Sequence, residues 1–344
     1  MVDLLEQYIR DHFNDPIISF PPTLLSSLPL DGFPEITGIS CASLQWFVYS
    51  IFNHLYSHNG KKPNQDRLLM YYEEATNFLL IAVFDGHGTY GHSVASHIRG
   101  RFVLAFACLP VIDISKRIEQ CLEAAEDSLL HGTAINTRMS GCTAHISCLM
   151  RCPSTSSVLL QSVNVGDSEY NIDFALSSSR GILAWYENNQ IRYRDLNICH
   201  NPDNPEEKQR IELSGGYVSI KQIHPAVQAV PRVYANAEYT KGGLAMSRSL
   251  GDSNIHKYGV ISTPTCILHN LSFRKGDLLV LVGSDGLMAY LPKLMTLKHL
   301  LPAGDEQMTQ RLQCACEHAK QYTLESTGGV YSDDTSGVAI MLKL

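Results

Sequence analysis

The sequence predicts an α+β fold with antiparallel sheets, and three observations carry that expectation. A continuous apolar run, Phe78-Leu79-Leu80-Ile81-Ala82-Val83-Phe84, stops at Asp85-Gly86. A run without polar alternation reads as a strand covered on both faces. A second apolar run, from Asp277 to Val282, also leads to an Asp-Gly pair, Asp285-Gly286. Finally, helical and extended patterns fall in blocks instead of alternating one by one, which argues against a doubly wound parallel sheet.

Taken in order, residues 1–39 mix acidic, apolar and proline positions and read as an N-terminal extension packed on a body spanning 40–344. After the Phe78–Phe84 strand, His92 to Leu109 reads as a buried helix. Ile114 to Leu130 reads as an amphipathic one, with Ile118, Cys121, Leu122, Ala125 and Leu129 on one face. Cys142 to Met150, Val158 to Val165, Asn171 to Leu176 and Gly181 to Tyr186 are short apolar stretches between polar turns, hence strands. Asn204 to Leu213 is helical and stops at Gly215-Gly216. From Tyr217 to Lys241 the pattern is irregular. Gln307 to Tyr322 is an amphipathic helix, and Gly337 to Leu342 is a final strand.

Composition narrows the function. A formal net charge of -7 supplies no clustered Lys and Arg for a nucleic-acid backbone or an anionic membrane. No apolar run has the length of a membrane span, and Asp3, Glu6, Arg10 and Asp11 interrupt any secretory signal. Val2 removes a myristoylation signal. The expectation is a soluble, monomeric protein of the cytosol or nucleus. The ten cysteines are spread along a chain long enough to build a core without staples, and they read as reduced. Neither a Cys-x5-Arg loop, a Gly-x4-Gly-Lys cradle, a His-Glu-x-x-His helix nor a Gly-x-Ser-x-Gly elbow occurs.

What remains is acidic. Asp85 follows a buried strand and precedes Gly86-His87-Gly88, Asp285 follows another and precedes Gly286, and Asp333-Asp334 precedes the last. A carboxylate at the end of a buried strand is held rigidly, and a following glycine lets a backbone carbonyl approach the same point. Hard cations such as Mg2+ and Mn2+ prefer such oxygen ligands, and they neutralise carboxylates that would otherwise repel one another. Each Asp-Gly taken alone also reads as a turn.

The ordered set of motifs resembles the metal-dependent Ser/Thr protein phosphatases, the PPM or type 2C family. Its pieces are Asn64-Gln65-Asp66, Phe84-Asp85-Gly86-His87-Gly88, Ser140-Gly141-Cys142-Thr143-Ala144 and Asn164-Val165-Gly166-Asp167-Ser168. They continue through Ser247-Arg248-Ser249-Leu250-Gly251-Asp252, Ser284-Asp285-Gly286-Leu287 and Ser332-Asp333-Asp334. The resemblance implies a four-layer αββα sandwich with a catalytic domain over 40–344. It implies hydrolysis of phosphoserine and phosphothreonine in phosphoprotein substrates by water shared between two Mg2+ or Mn2+ ions. By motif position, Asp85 should bridge two ions with Gly86 lending its carbonyl, Asp285 and Asp334 should ligate the second ion, and Asp66 should support the site through water. Asp167 is the usual companion in a third ion site, and Lys61 stands where phosphate is attracted. His87 is expected to act as general acid toward the leaving oxygen, because an imidazole titrates near the working pH.

Several positions depart from that pattern. Lys61 stands where the family carries a phosphate-binding Arg, and a lysine lacks the bidentate fork. Gln65 and Ala289 replace acidic residues, Glu169 replaces Arg and Thr335 replaces Asn. A pseudophosphatase that uses the fold only to bind a partner is the alternative, and it predicts loss of Asp85, Asp285 or Asp334. All three are present.

Overall fold

The computed structural model describes residues 2–15, 17–20, 36–44, 63–73, 78–109, 113–152, 155, 157–166, 180–220, 229–273, 276–288, 292–301, 308–328 and 333–343. The N-terminal part forms helix α1 (Val2–Asp11) and strands β1 (Ile17–Phe20), β2 (Ile36–Leu44), β3 (Arg67–Glu73), β4 (Phe78–Phe84) and β5 (Gly86–His87). Helices α2 (Gly91–Cys108) and α3 (Ile114–Gly132) follow, then β6 (Gly141–Cys142), β7 (Ala144–Arg151), β8 (Val158–Val165), β9 (Arg180–Glu187) and β10 (Gln190–Asp195). Helix α4 (Pro205–Leu213) leads to β11 (Tyr217–Ile220), β12 (Pro231–Tyr234), β13 (Gly242–Leu244) and β14 (Leu250–Gly251). The rest comprises α5 (Ser253–His256), β15 (Thr265–Asn270), β16 (Asp277–Gly283), α6 (Asp285–Met288), α7 (Lys293–Leu300), α8 (Met308–Ser326) and β17 (Thr335–Lys343).

Two large sheets carry the architecture, one ordered β1-β3-β4-β7-β8-β15 and the other β10-β9-β16-β17-β2. Every residue of β4 is buried because both of its faces are covered. Leu80, Ala82 and Phe84 pack with Val94, Phe102 and Ile118 of the helices above. Leu79, Ile81 and Val83 point the other way and meet Val280, Val282, Val338 and Ile340 between the sheets. A third apolar seam joins Leu279, Leu281 and Ala339 to Leu297, Leu312 and Ala315 of α7 and α8. Each such buried side chain contributes about 1.5–3 kcal/mol by leaving water. Helix, sheet, sheet and helix are thus the four layers of an αββα sandwich.

Local chemistry sets the helix ends. The Asp113 carboxylate accepts from the backbone N–H groups of Ser115 and Lys116 to start α3, and Asn204 followed by Pro205 starts α4. Helix α1 packs on α2 through Ile9, and the buried Arg99 guanidinium donates to the carbonyls of His12, Phe13 and Asp15 that follow α1. Strand β2 is hydrogen-bonded to β17 from Ile36 to Leu44, so the second sheet includes residues on both sides of position 39. Among the described residues, no helix is long and apolar enough to cross a membrane, and the cysteines with described side chains are free.

Three sequence expectations are corrected. Edge strand β1 runs parallel to β3, so the first sheet is not wholly antiparallel. The stretch from Tyr217 is not irregular: β11, β12 and β13 form a small antiparallel sheet, with Tyr234 buried and Arg232 donating to the Gly243 carbonyl at 2.7 Å. Asp285-Gly286 is not a plain turn, because it opens α6. The strand expected over Asn171–Leu176 lies outside the described residues.

The core also holds titratable groups. His145 and His200 are buried, and burial pushes each imidazole from 6.5 down to about 3. His200 stays neutral by accepting from the Asn164 amide at Nδ1 (3.4 Å) and donating from Nε2 to Thr265 Oγ1 (2.6 Å). Below pH 6.5 the unfolded chain binds protons here that the folded chain refuses. The stabilisation is complete above that pH and declines as pH falls toward about 3, at about 1.4 kcal/mol per group and pH unit. Melting curves between pH 7.5 and 5 are expected to show Tm falling once the pH passes below about 6.5, with a shallower slope for His200→Asn. Equal slopes would contradict this origin.

Candidate active site

Strand register builds the site. Arg67 pairs with Phe84, so Asp66 and Asp85, the residues just beyond, stand together at one end of the first sheet. In the second sheet Gly283 pairs with Gly337, which sets Ser284 opposite Ser336 and leaves Asp285 and Asp334 at the same end. The Ser284 N–H donates to the Ser336 carbonyl at 2.9 Å, and the Ser336 N–H donates back to Ser284 Oγ at 3.0 Å. Two contacts then join the sheets at this end. The Gln65 N–H donates to Asp334 Oδ2 at 2.7 Å, and the Asp285 N–H approaches Asp85 Oδ2 at 3.5 Å.

The carboxylates are held against their own preference. Burial pushes Asp66 from 3.8 up to about 6; the Ser284 and Ser336 hydroxyls pull it down, while the charge of Asp333 pushes it up. Burial, then the charges of Asp285, Asp66 and Asp333, lift Asp85 well above the usual carboxylate range. Asp285 is lifted by burial first and then by Asp333 and Asp66. Both carboxylate oxygens of Asp66, Oδ1 of Asp285 and Oε1 of Gln65 are buried with no partner at hydrogen-bond length. Beneath them the buried Arg67 guanidinium is spent on the carbonyls of Asn64 and Asp66 and on Ser96 Oγ.

Unpaired acceptor oxygens on mutually repelling, desolvated carboxylates fit a divalent cation. Among the described residues, no three His, Cys, Asp or Glu side chains form a group able to hold an ion by themselves. Mg2+ keeps several waters and is held through one or two carboxylates. The glycines fit too. A Cβ on Gly86 would stand 2.4 Å from the Gly91 carbonyl, and one on Gly286 would stand 2.0 Å from the Asp334 carbonyl. Gly286→Ala is therefore expected to displace Asp334 and to cost about 1–3 kcal/mol of stability. Melting curves with and without Mn2+ check this, and an unchanged Mn2+ response would contradict it.

His87 sits beside the carboxylates on a separate small sheet, β14-β6-β5. Gly141 of β6 pairs with His87 on one side and with Gly251 on the other. Across it, His87 Nε2 lies 2.6 Å from Asp252 Oδ2. Only a glycine permits this, since a Cβ at Gly141 would be 2.2 Å from Asp252 Oδ2. Asp252 itself holds a left-handed backbone (φ 44) and donates its N–H to the Ser140 carbonyl at 3.0 Å. Such a conformation costs an L-residue about 1–2 kcal/mol.

Of the residues singled out in the sequence, Asp66, Asp85, Gly86, Asp285 and Asp334 come together, with His87 at their side. Lys61, Asp167, Glu169 and Ala289 lie outside the described residues. Sequence reasoning assigned no part to Asp252, Arg67 or Gly141. The only signal was that Asp252 and Gly141 fall inside motifs of the ordered set. Gln65, noted only as a missing acid, anchors Asp334 through its N–H and donates from Nε2 to the Gly88 carbonyl at 2.6 Å.

A family model described as "Protein phosphatase 2C" matches residues 55–296. "Probable protein phosphatase 2C 35" of Arabidopsis thaliana is 27% identical over 316 residues, covering 86% of this chain and 84% of that protein. "Probable protein phosphatase 2C 73" of the same plant is 25% identical over 315 residues, covering 84% and 78%. Among solved structures, a serine-threonine phosphatase 2C from Toxoplasma gondii superposes with a TM-score of 0.65 at 15% identity. It covers 90% of this chain and 96% of its own. That likeness confirms the fold.

Proposed function

The chain belongs to the protein phosphatase 2C family, and from that premise we propose that its carboxylate-lined end hydrolyses phosphoserine and phosphothreonine esters in other proteins with the help of Mg2+ or Mn2+. The observation that carries this reading is the convergence of strand-end carboxylates from both sheets, with buried oxygens left unpaired. Asp85, Asp285 and Asp334, with the carbonyl of Gly86 and support from Asp66, would hold the ions. Bound there, such ions supply positive charge for the phosphoryl oxygens and lower the pKa of water.

The remaining work belongs to the chain's own groups. His87 donates a proton to the departing seryl or threonyl oxygen, a poor leaving group that needs one. With Nε2 engaged by Asp252, Nδ1 is the nitrogen left to face the substrate. Asp252 keeps the ring oriented, and Gly141 keeps the space between them open. Lys61, by its place in the motif order, draws the phosphoryl dianion toward the site.

The decisive experiment offers a phosphothreonine peptide to the full chain with Mn2+ and then with a chelator. Phosphate release that the chelator abolishes is expected. No metal-dependent release at high enzyme concentration would overturn the reading and favour a binding module of the same fold.

A further inference from the structure

A solvent-open cavity of about 320 Å³ lies beside the loop that leaves His87, lined by Thr89, Tyr90, Asn136, Arg138, Met139, Ser140 and Asn254, all exposed but Ser140. Its walls are the segments 89–90, 136–140 and 254, and hydrogen bonds fix them to one another. The Tyr90 N–H donates to Ser140 Oγ at 3.0 Å, which ties the loop leaving His87 to the second wall. The Ser253 N–H donates to the Thr137 carbonyl at 2.9 Å and the Asn254 N–H to the Arg138 carbonyl at 3.4 Å, which tie the second wall to the third. These bonds hold the backbone of the three segments together, so a ligand seated there orders little new backbone.

Its chemistry is uneven. Among the described residues, Arg138 is the one charged side chain lining it. The guanidinium is exposed and reaches Asn254 Oδ1 at 3.4 Å, and among the described residues it forms no ion pair with a carboxylate. Beside it Tyr90 and Met139 are exposed apolar surfaces, at 43% and 62% of their full accessibility. An unpaired guanidinium next to an aromatic and a thioether suits an anionic group carried on an apolar stem.

Position says whose group that is. If His87 protonates the departing oxygen, the peptide attached to that oxygen lies on the His87 side of the phosphoryl group, where Gly88, Thr89 and Tyr90 lead directly into the cavity wall. We propose that this cavity is a substrate subsite in which Arg138 receives an anionic side chain, a carboxylate or a second phosphate, lying within a few residues of the phosphorylated serine or threonine. The proposal rests on the phosphatase reading given above. It adds a sequence preference to that reading.

The test uses the full chain with Mn2+ and phosphothreonine peptides that differ only in the neighbouring residues: Ala, Asp, Lys or phosphotyrosine. Loss of phosphate from the threonine is followed by mass spectrometry. The natural sequence is expected to favour Asp over Ala in kcat/KM by about fivefold. Arg138→Ala is expected to erase that ratio, and Arg138→Glu to shift the preference to Lys. A larger gain with phosphotyrosine than with Asp identifies the second phosphate as the favoured source. An unchanged Asp-to-Ala ratio in Arg138→Glu overturns the proposal. Fluorescence anisotropy of the same peptides in chelator separates the two readings. Charge-dependent binding that follows residue 138, without any metal-dependent hydrolysis, would keep the subsite and overturn the phosphatase assignment. Binding and hydrolysis both indifferent to residue 138 would overturn the subsite alone.

Discussion

Asp85→Asn is expected to abolish metal-dependent phosphatase activity, by about 10³-fold or more, while leaving the metal-free protein as stable as before or more so. The two effects share one cause. Burial and the neighbouring charges of Asp285 and Asp66 hold the Asp85 carboxyl well above its usual pKa, so its ionised form at neutral pH burdens the fold. Removing the charge relieves that burden and also removes an oxygen ligand on which several kcal/mol of charge stabilisation depend. Melting curves in chelator should give Asp85→Asn a Tm at or above that of the natural sequence. Adding Mn2+ should raise Tm for the natural sequence and much less for the variant, because a ligand stabilises only the fold that binds it. A variant that keeps its activity, or a natural sequence whose Tm ignores Mn2+, would refute the placement of the metal site.

His87→Gln carries the second large effect. Loss of the proton donor is expected to slow hydrolysis of a phosphothreonine peptide by about 10²–10⁴-fold. p-Nitrophenyl phosphate, whose leaving group needs no proton, should lose far less. Asp252→Asn keeps the imidazole but weakens the 2.6 Å contact that orients it. It should lower kcat on the peptide by about ten- to a hundredfold with little change in KM. Equal losses on both substrates would assign His87 to structure instead of proton transfer.

The carboxylates were legible because their strands are covered on both faces. Phe78–Phe84 and Leu278–Val282 are apolar without interruption, and the first polar residue after each run marks the strand's end. Strand β2, Ile-Thr-Gly-Ile-Ser-Cys-Ala-Ser-Leu, escaped notice because small and hydroxylated residues dilute its pattern. Its place is set by pairing with β17, a partner nearly 300 residues away in sequence. The same holds for the His87–Asp252 pair, separated by 165 positions and joined only through the register of Gly141. No local property of Asp252 announces that contact. Asp285 looked like a turn because Asp-Gly often is one, whereas here Ser284 caps a short helix by accepting from the N–H groups of Leu287 and Met288 through its carbonyl.

The contact between Gln65 and Asp334 spans 269 positions of the chain, and that distance has a temporal meaning. A polypeptide is synthesised from its N-terminus and its parts begin to fold as they emerge. Asp66 and Asp85 come early, yet they remain half of a site until β17 takes its place between β16 and β2. A nascent chain arrested before Asp334 therefore has neither a finished second sheet nor the oxygens that complete the acidic end. The acidic end is completed only after the segment carrying Asp334 has been made.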